Sequence, residues 1–276
     1  MAERLAADGR PSSRVATGWL IAALVAALVP ILYLVSVSFM SQGEVAAGRL
    51  IPTRPTLGAW AQAFSGPVPI AIANSLVVSV ISSAVSLALA LPAAWAIVRF
   101  RTGGRLLAGT FLAPWLLPPI VAIVPLFMLL RILGLNNTLT GLTLLYAIMN
   151  VGLAVWLLEG FVRRLPIELE EAARLDGAGE FGVLTRIIVP LTGPALVAVG
   201  VILVILSYNE YLFAAFVTQS EQSRTVPVVI SLMLSERIQD FGRVAAASLL
   251  GAVPPLAVAA LLQKRLVEGL TSGALK

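Results

Sequence analysis

Six stretches of this chain, at about 19–38, 70–98, 106–131, 139–159, 190–217 and 244–262, are apolar and almost free of charge. A run of about 20 apolar residues crosses a hydrocarbon core roughly 30 Å thick as a helix. Inside that core every backbone N–H and C=O must find its partner within the protein, which leaves helices and closed barrels as the spanning structures. A barrel is written in short strands that alternate apolar and polar, and these runs do not alternate. The expected fold is therefore all-α: a polytopic membrane protein with six transmembrane helices in a single domain over 1–276. Composition agrees, with 59% hydrophobic and 12% charged residues against about 25% charged in an ordinary soluble domain. The chain has no cysteine and no histidine. Disulfide frameworks, thiolate chemistry and most zinc or haem sites are thereby excluded.

Residues 1 to 16 are polar and carry Arg4, Arg10 and Arg14. A charged start before an apolar run also suits a signal peptide. This run is long and ends in Ser36-Val-Ser-Phe-Met-Ser-Gln42 without a small-x-small cleavage pattern, which predicts a retained first helix. Residues 40–69 read as a loop punctuated by Gly43, Pro52, Pro55, Gly58, Pro67 and Pro69, with Trp60 and Phe64 spaced for one face of a short interfacial helix. The third run contains Pro114, Pro118, Pro119 and Pro125. Each proline removes a backbone donor and opposes the carbonyl one turn back, so four in one span predict a bent helix whose freed groups are satisfied by neighbouring helices. A turn at Gly134-Leu-Asn-Asn137 leads to the fourth run. Residues 218–242 read as a polar loop and 263–276 as a tail.

Six crossings put both termini on one side. That side carries Arg4, Arg10, Arg14, Arg99, Arg101, Arg105, Arg163, Arg164, Arg174, Arg186, Lys264, Arg265 and Lys276, while Arg49, Arg54, Arg131, Arg224, Arg237 and Arg243 fall on the other. The positive-inside rule makes the first side cytoplasmic, and the loops 40–69 and 218–242 then face outward. The net charge of +5 follows from this bias and gives no support to nucleic-acid binding.

The cytoplasmic loop 163–189 is a polar island with Glu168, Glu170, Glu171, Asp176 and Glu180. Pro166 suits a first helical position, and the glutamates behind it place negative charge where the helix dipole favours it. Gly177 can end this helix in a left-handed conformation. On a second short helix Phe181, Leu184 and Ile188 form an apolar face, and Pro190 marks the return to the membrane. Two short helices joined at a glycine would make a compact knob, whose small residues Ala172, Ala173, Gly177, Ala178 and Gly179 let a partner's backbone come close. The residues suit equally an ordinary loop resting on lipid headgroups.

Glu171-Ala172-Ala173, three residues, Gly177, nine residues, Ile187, one residue and Val189-Pro190 together resemble the EAA motif of binding-protein-dependent ABC transporter permeases. The centre Leu175-Asp176-Gly177-Ala178 is similar to the carbohydrate-uptake branch, above all to the smaller permease subunit of maltose-type importers. Val189 stands where that family usually has Leu, and Leu184 where it often has an aromatic. Tyr208-Asn209-Glu210-Tyr211 resembles the family's Trp-Asn-Glu/Asp cluster. Gly269-Leu-Thr-Ser-Gly-Ala-Leu-Lys276 resembles its Gly-Leu-Thr-x-Gly-x-Val-Lys-Gly ending without the last glycine.

The resemblance implies the type I importer permease architecture in a bacterial inner membrane, with a cytoplasmic coupling-helix loop. It implies a second permease subunit, two cytoplasmic ATPase subunits that hold ATP and Mg, and an extracytoplasmic substrate-binding protein. Glu171, Ala172, Ala173, Asp176, Gly177, Phe181, Ile187 and Pro190 would form the ATPase coupling surface, with Asp176 capping the second short helix. This chain has no G-x-x-x-x-G-K-[ST] loop and so is not the ATP-binding part; it is expected to be non-catalytic and to bind no cofactor. By the same likeness, the loop 218–242 would reach into the binding protein; it also reads as a solvated connector.

The pathway candidates are Tyr208, Asn209, Glu210 and Tyr211, with Asn74 and Asn150. A carboxylate in a span costs about 2.5 to 3.5 kcal/mol on insertion scales and so faces a cavity or a partner. A carboxylate and carboxamide flanked by tyrosines suit a sugar's hydroxyls and ring faces. Counted from Pro190, Glu210 sits in the outer half of the bilayer, where gating or structural pairing is the other reading. The asparagines also suit helix–helix hydrogen bonds. An ion-driven secondary transporter is the alternative, but it would usually carry mid-membrane acidic or histidine relays. A non-transporting scaffold gives no reason for the EAA pattern.

Overall fold

The structure, a computed structural model, describes residues 13–101, 118–235 and 240–271, with backbone alone at 13–16 and 262–271. Most of the charged N-terminal run, Arg105, Pro114, Arg237 and the end of the C-terminal motif lie outside the described residues. Those described are helical, with no strand among them. They form two compact units, one from residues 1–65 with 233–250 and the other from 66–232 with 251–276.

The first unit opens with α1 (Ser13–Ser38), whose apolar side chains Trp19, Leu20, Leu24, Ile31 and Leu32 are exposed, as suits a helix solvated by lipid. Val37, Met40 and Ala245 bury the end of this helix in a small core. The loop that follows is ordered around Glu44 in α2 (Gln42–Ala46). Glu44 accepts from the Ser41 amide at 3.2 Å, the Thr53 amide at 2.8 Å and the Arg54 amide at 3.3 Å, and from the Thr53 hydroxyl. The Thr53 hydroxyl and these backbone donors together draw the Glu44 pKa down to about 2. The expected short helix is α3 (Gly58–Ser65), where the Trp60 indole donates to Ser38 Oγ at 3.2 Å and its ring lies 6.3 Å from that of Phe64.

The second unit is built on α4 (Val68–Phe100), which packs along α6 (Leu139–Val162) and α9 (Gly193–Tyr208). The face of α4 that makes these contacts is small: Ala71, Ser75, Ser79, Ser82, Ser83, Ser86, Ala90 and Ala94 are all buried. Without water to drive apolar association, membrane helices associate through close backbone approach and interhelical hydrogen bonds, and small residues permit both. The hydroxyls of Ser79, Ser82, Ser83 and Ser86 bond back to their own helix, and Ser86 also donates to the Ala147 carbonyl of α6 at 3.0 Å. Below the stripe, Leu91, Trp95, Val155, Leu158, Val162, Val183, Ile188, Val199 and Leu203 close one core.

Among the described residues, four helices are long and apolar enough to cross a membrane, and a fifth crossing counts if the bent pair Glu180–Leu191 and Gly193–Tyr208 is one span. The third expected span, 106–131, is described only as α5 (Pro119–Ile132), whose 14 residues reach about 21 Å. Here the proline expectation needs correction. Pro118 is extended, with ψ 125°, because a residue before proline is pushed out of the helical region, so Pro118 and Pro119 open α5 and Pro125 alone of these lies inside it.

Two further expectations are revised. The fifth span is not continuous over 190–217: α9 ends at Tyr208 and a separate α10 (Leu212–Val217) follows. The loop 218–242 is not polar throughout, because Val226–Leu234 form an apolar helix, α11, with Val226, Val228 and Val229 buried. The polar part is tied down by Asn137, a non-glycine residue at φ +58°. Its side-chain oxygen accepts from the Gln219 and Ser220 amides and, at 2.6 Å, from the Ser223 hydroxyl.

Candidate functional site

The polar island folds as an elbow of two helices, α7 (Ile167–Leu175) and α8 (Glu180–Leu191). Pro166 stands one place before the first helical residue. The helix ends in a Schellman motif: Gly177, at φ +86°, donates to the Arg174 carbonyl at 3.0 Å, and Ala178 donates to the Ala173 carbonyl at 2.9 Å. The left-handed glycine thus satisfies two carbonyls that the helix would otherwise leave unpaired. Asp176 is the C-cap of α7 and does not cap α8, whose N-cap is Gly179. The residues Gly177 and Ala178 intervene, so the expected cap is replaced by backbone geometry.

The second helix departs from the expected register. Residues 184–188 form a π turn, in which bonds run from i to i+5. Val183 and Ile188, five apart, therefore share the inner face at 0% and 1% exposure, and Phe181, expected beside them, is turned outward at 78%. The bend out of the elbow comes at Thr192, after Pro190, where α8 and α9 meet at 75°. The Thr192 hydroxyl bonds back to the Ile188 carbonyl at 2.7 Å.

An ion pair links the two arms. Arg174 donates from Nε and Nη2 to the two carboxylate oxygens of Glu180, each at 3.0 Å. The fork holds the Glu180 pKa below the ordinary carboxylate value and raises that of Arg174, in each case chiefly through this hydrogen-bonded pair. The outer side of the elbow is open: Glu171 and Ala172 are exposed, and Leu175 is 89% exposed. Ala173 and Ile187 are half-buried and border a shallow hollow with Asp176, Gly177, Ala178, Gly182 and Arg186. Pro190 is exposed at the end of α8.

Sequence reading placed Glu170 merely among the charges of the first turn. In the structure it is 1% exposed, the one buried residue of α7. Its carboxylate accepts from the Trp95 indole at 3.0 Å and from Arg99 Nε at 2.6 Å, both residues lying at the end of α4. Arg99 Nη2 also donates to the Leu165 carbonyl at 2.7 Å. The available signal was the i, i+4 spacing of Trp95 and Arg99 at a helix end, which places an indole N–H and a guanidinium on one face.

The second candidate cluster surrounds the break between α9 and α10. Tyr208 is buried, its hydroxyl donating to the Gly251 carbonyl at 2.8 Å. Asn209 is exposed, and its amide donates to the Ile205 carbonyl of its own helix at 2.8 Å. Glu210 accepts from the Tyr146 hydroxyl at 2.6 Å, from the Phe213 amide at 3.1 Å and from the Ala214 amide at 3.3 Å. Its carboxylate therefore closes the first turn of α10 and joins it to α6. Tyr211 is 44% exposed, and its hydroxyl pairs with Ser231 Oγ at 3.0 Å. Asn150 donates to Ser207 Oγ at 2.8 Å, a buried bond from α6 to α9. Asn74 donates to the Gln222 and Arg224 carbonyls at 2.8 and 2.9 Å, which holds the turn after α10 against α4.

Residues 86–271 match the family described as binding-protein-dependent transport system inner membrane component. The chain is 34% identical over 254 residues to the trehalose transport system permease protein SugB of Mycobacterium tuberculosis, covering 91% of this chain and 93% of that protein. It is 31% identical over 273 residues to the sulfoquinovosyl glycerol transport system permease protein SmoH of Agrobacterium fabrum, covering 98% and 95%. A solved chain from a bacterial ABC transporter involved in the import of the acidic polysaccharide alginate superposes with TM-score 0.76 at 23% identity, over 93% of this chain and 98% of that one. At that identity the last likeness speaks for the fold, and it agrees with the all-α, polytopic expectation.

Proposed function

The chain belongs to the binding-protein-dependent transport system inner membrane components, and we propose that it is one of two permease subunits of an ATP-driven importer for a sugar or related polyol. The substrate class rests on relatives that carry trehalose and sulfoquinovosyl glycerol. In this reading the whole chain is one transmembrane domain of six spans, multi-pass in the cytoplasmic membrane, with both termini and the elbow on the cytoplasmic side. Two ATPase subunits hold ATP and Mg, one of them docking on the elbow of this chain, an extracytoplasmic binding protein delivers substrate, and a second permease supplies the other half of the pathway. The chain itself catalyses nothing and binds no cofactor or nucleic acid.

The observation that carries the reading is the division of the elbow into a fixed inner side and an open outer one. Glu170, Val183 and Ile188 hold it to the bundle, while the side chains of Glu171, Ala172, Leu175 and Phe181 are exposed on the outer side. A partner that seats on this ridge buries two large apolar side chains, approaches closely over Ala172 and meets a carboxylate at Glu171. Around the helix break, Tyr208 and Glu210 are engaged internally and hold the break open, while Asn209 and Tyr211 offer their exposed faces to the pathway, Asn74 and Asn150 serving as its braces.

Glu171→Ala tests the docking. Truncating one member of a buried charge pair at an interface costs about 2 to 5 kcal/mol, or about 30-fold or more in association. The ATPase pair should co-purify weakly and its stimulation by the binding protein should collapse, with membrane insertion unchanged. Wild-type association and stimulation in the variant would sink the proposal.

A further inference from the structure

We propose that Glu170 is a positioning residue that makes the elbow and α4 move as one rigid body, so that displacement imposed on the elbow enters the bundle through α4. The inference rests on the elbow being the ATPase seat. Covalent connections carry such a displacement poorly. On one side of α7 lies the short turn 163–166, and on the other the left-handed bend at Gly177, both short segments whose backbone–backbone hydrogen bonds are local and reach no part of α4. Against this, Glu170 is grasped from two directions by α4, through Trp95 Nε1 at 3.0 Å and Arg99 Nε at 2.6 Å. Arg99 reaches past it to the Leu165 carbonyl at 2.7 Å, so one guanidinium fixes both the start of the elbow and its first helix. Arg174 stands 3.6 Å from the same carboxylate while its fork holds Glu180.

Arg99, Glu170, Arg174 and Glu180 form a chain of alternating charges from α4 through α7 to α8, hydrogen-bonded at both ends and joined in the middle by the 3.6 Å ion pair of Glu170 with Arg174. Such bonds are directional and short, and a carboxylate at 1% exposure cannot exchange them for water. The clasp therefore resists rotation of α7 about its own axis, which an apolar contact would permit. The edge-to-face packing of Trp95 on Phe100, with centroids 5.4 Å apart, fixes the indole that donates.

The chain has no native cysteine, so labels can be placed one pair at a time. Nitroxides on Ile167→Cys, on the flank of α7, and Ile81→Cys, on the exposed face of α4, report the distance between elbow and helix. They are read in the assembled complex without nucleotide and after trapping with ATP and vanadate. The expected result is one narrow distance, the same in both states. With Glu170→Ala the narrow distance is lost and trapping shifts it, and ATP hydrolysed in response to the binding protein falls by about tenfold, within the usual range for coupling between sites. Glu170→Gln, which keeps the shape and one acceptor, restores part of the sharpness. A narrow, unshifted distance in Glu170→Ala overturns the proposal. Should that variant fail to assemble, Trp95→Phe decides: it removes a single donor, and a wild-type distance there overturns the proposal equally. A cross-link from Ala172→Cys to the ATPase separates the two ideas. If the cross-link fails in the otherwise wild-type complex, the docking reading falls; if it forms while the Glu170 variants remain rigid, only the clasp does.

Discussion

Replacing Gly177 by alanine isolates one backbone torsion from everything else in the elbow. A Cβ at Gly177 meets nothing within 4 Å, so no clash contributes. The penalty lies in φ, at +86°, where an L-residue is disfavoured by roughly 1–2 kcal/mol. That corresponds to a factor of about 5 to 30 in the ratio of closed to open elbow. Gly179 is the internal control: it has equal free space, but its φ is −70°, which alanine adopts without strain. Amide exchange at Ala178, whose N–H closes the Schellman motif on Ala173 at 2.9 Å, reads the effect directly. Protection should fall about 5- to 30-fold in Gly177→Ala and stay unchanged in Gly179→Ala, with Gly177→Asn in between, since asparagine tolerates the left-handed region. Equal protection in the two alanine variants would refute the reasoning, because the left-handed bend would then not be the closed state.

Two other perturbations bear on the bundle and on the outer loop. Asn150→Ala removes the buried bond to Ser207, and on the scale of interhelical bonds in membranes should cost about 0.6 to 1.7 kcal/mol in a detergent-unfolding titration, an effect absent when Ser207→Ala is already present. Glu44, with its pKa lowered to about 2 by Thr53 and the amides around it, binds fewer protons folded than unfolded. Its contribution is complete above the ordinary carboxylate range and is lost as pH falls toward 2. The Thr53 amide resonance should therefore hold to pH 4 and shift below it, and a midpoint near 4.5 would contradict the hydrogen-bonded arrangement.

The helical class and most helix positions were legible because lipid leaves so few options: long uncharged runs have to be helices. The bend at Gly177 was legible for a similar reason, since glycine is the residue that reaches φ +86° without strain. What escaped was register and pairing. The break at 209–211 was invisible in an apolar run because Glu210 satisfies the freed amides of Phe213 and Ala214 with its own side chain, a bond that exists only once the chain has folded back. The π turn at 184–188 has no compositional mark, and it shifts Ile188 out of the α-helical register with Phe181, which faces outward. The buried small stripe of α4 was present as Ser75, Ser79, Ser83 and Ser86, but serines in an apolar run read as tolerated polar residues until a partner helix is set against them.

The contrast between Glu170 and Glu171 shows how adjacent carboxylates acquire opposite environments. Neighbours on a helix point about 100° apart, so a helix lying on a bundle can bury one and expose the next. Burial of a charge is tolerated only where donors are already in place, and α4 supplies two of them at Trp95 and Arg99. Glu171, exposed on the outer side, has the guanidinium of Arg174 near it but no buried donor of this kind; in the docking reading proposed above its charge meets the partner. Exchanging the two properties by mutation is correspondingly asymmetric. Neutralising Glu171 should weaken association with the ATPase and leave the elbow rigid, whereas neutralising Glu170 should leave association intact and loosen the elbow. A double variant whose defects in cross-linking and in label distance equal those of the two single variants taken separately would establish that one residue seats the partner and the other holds the seat.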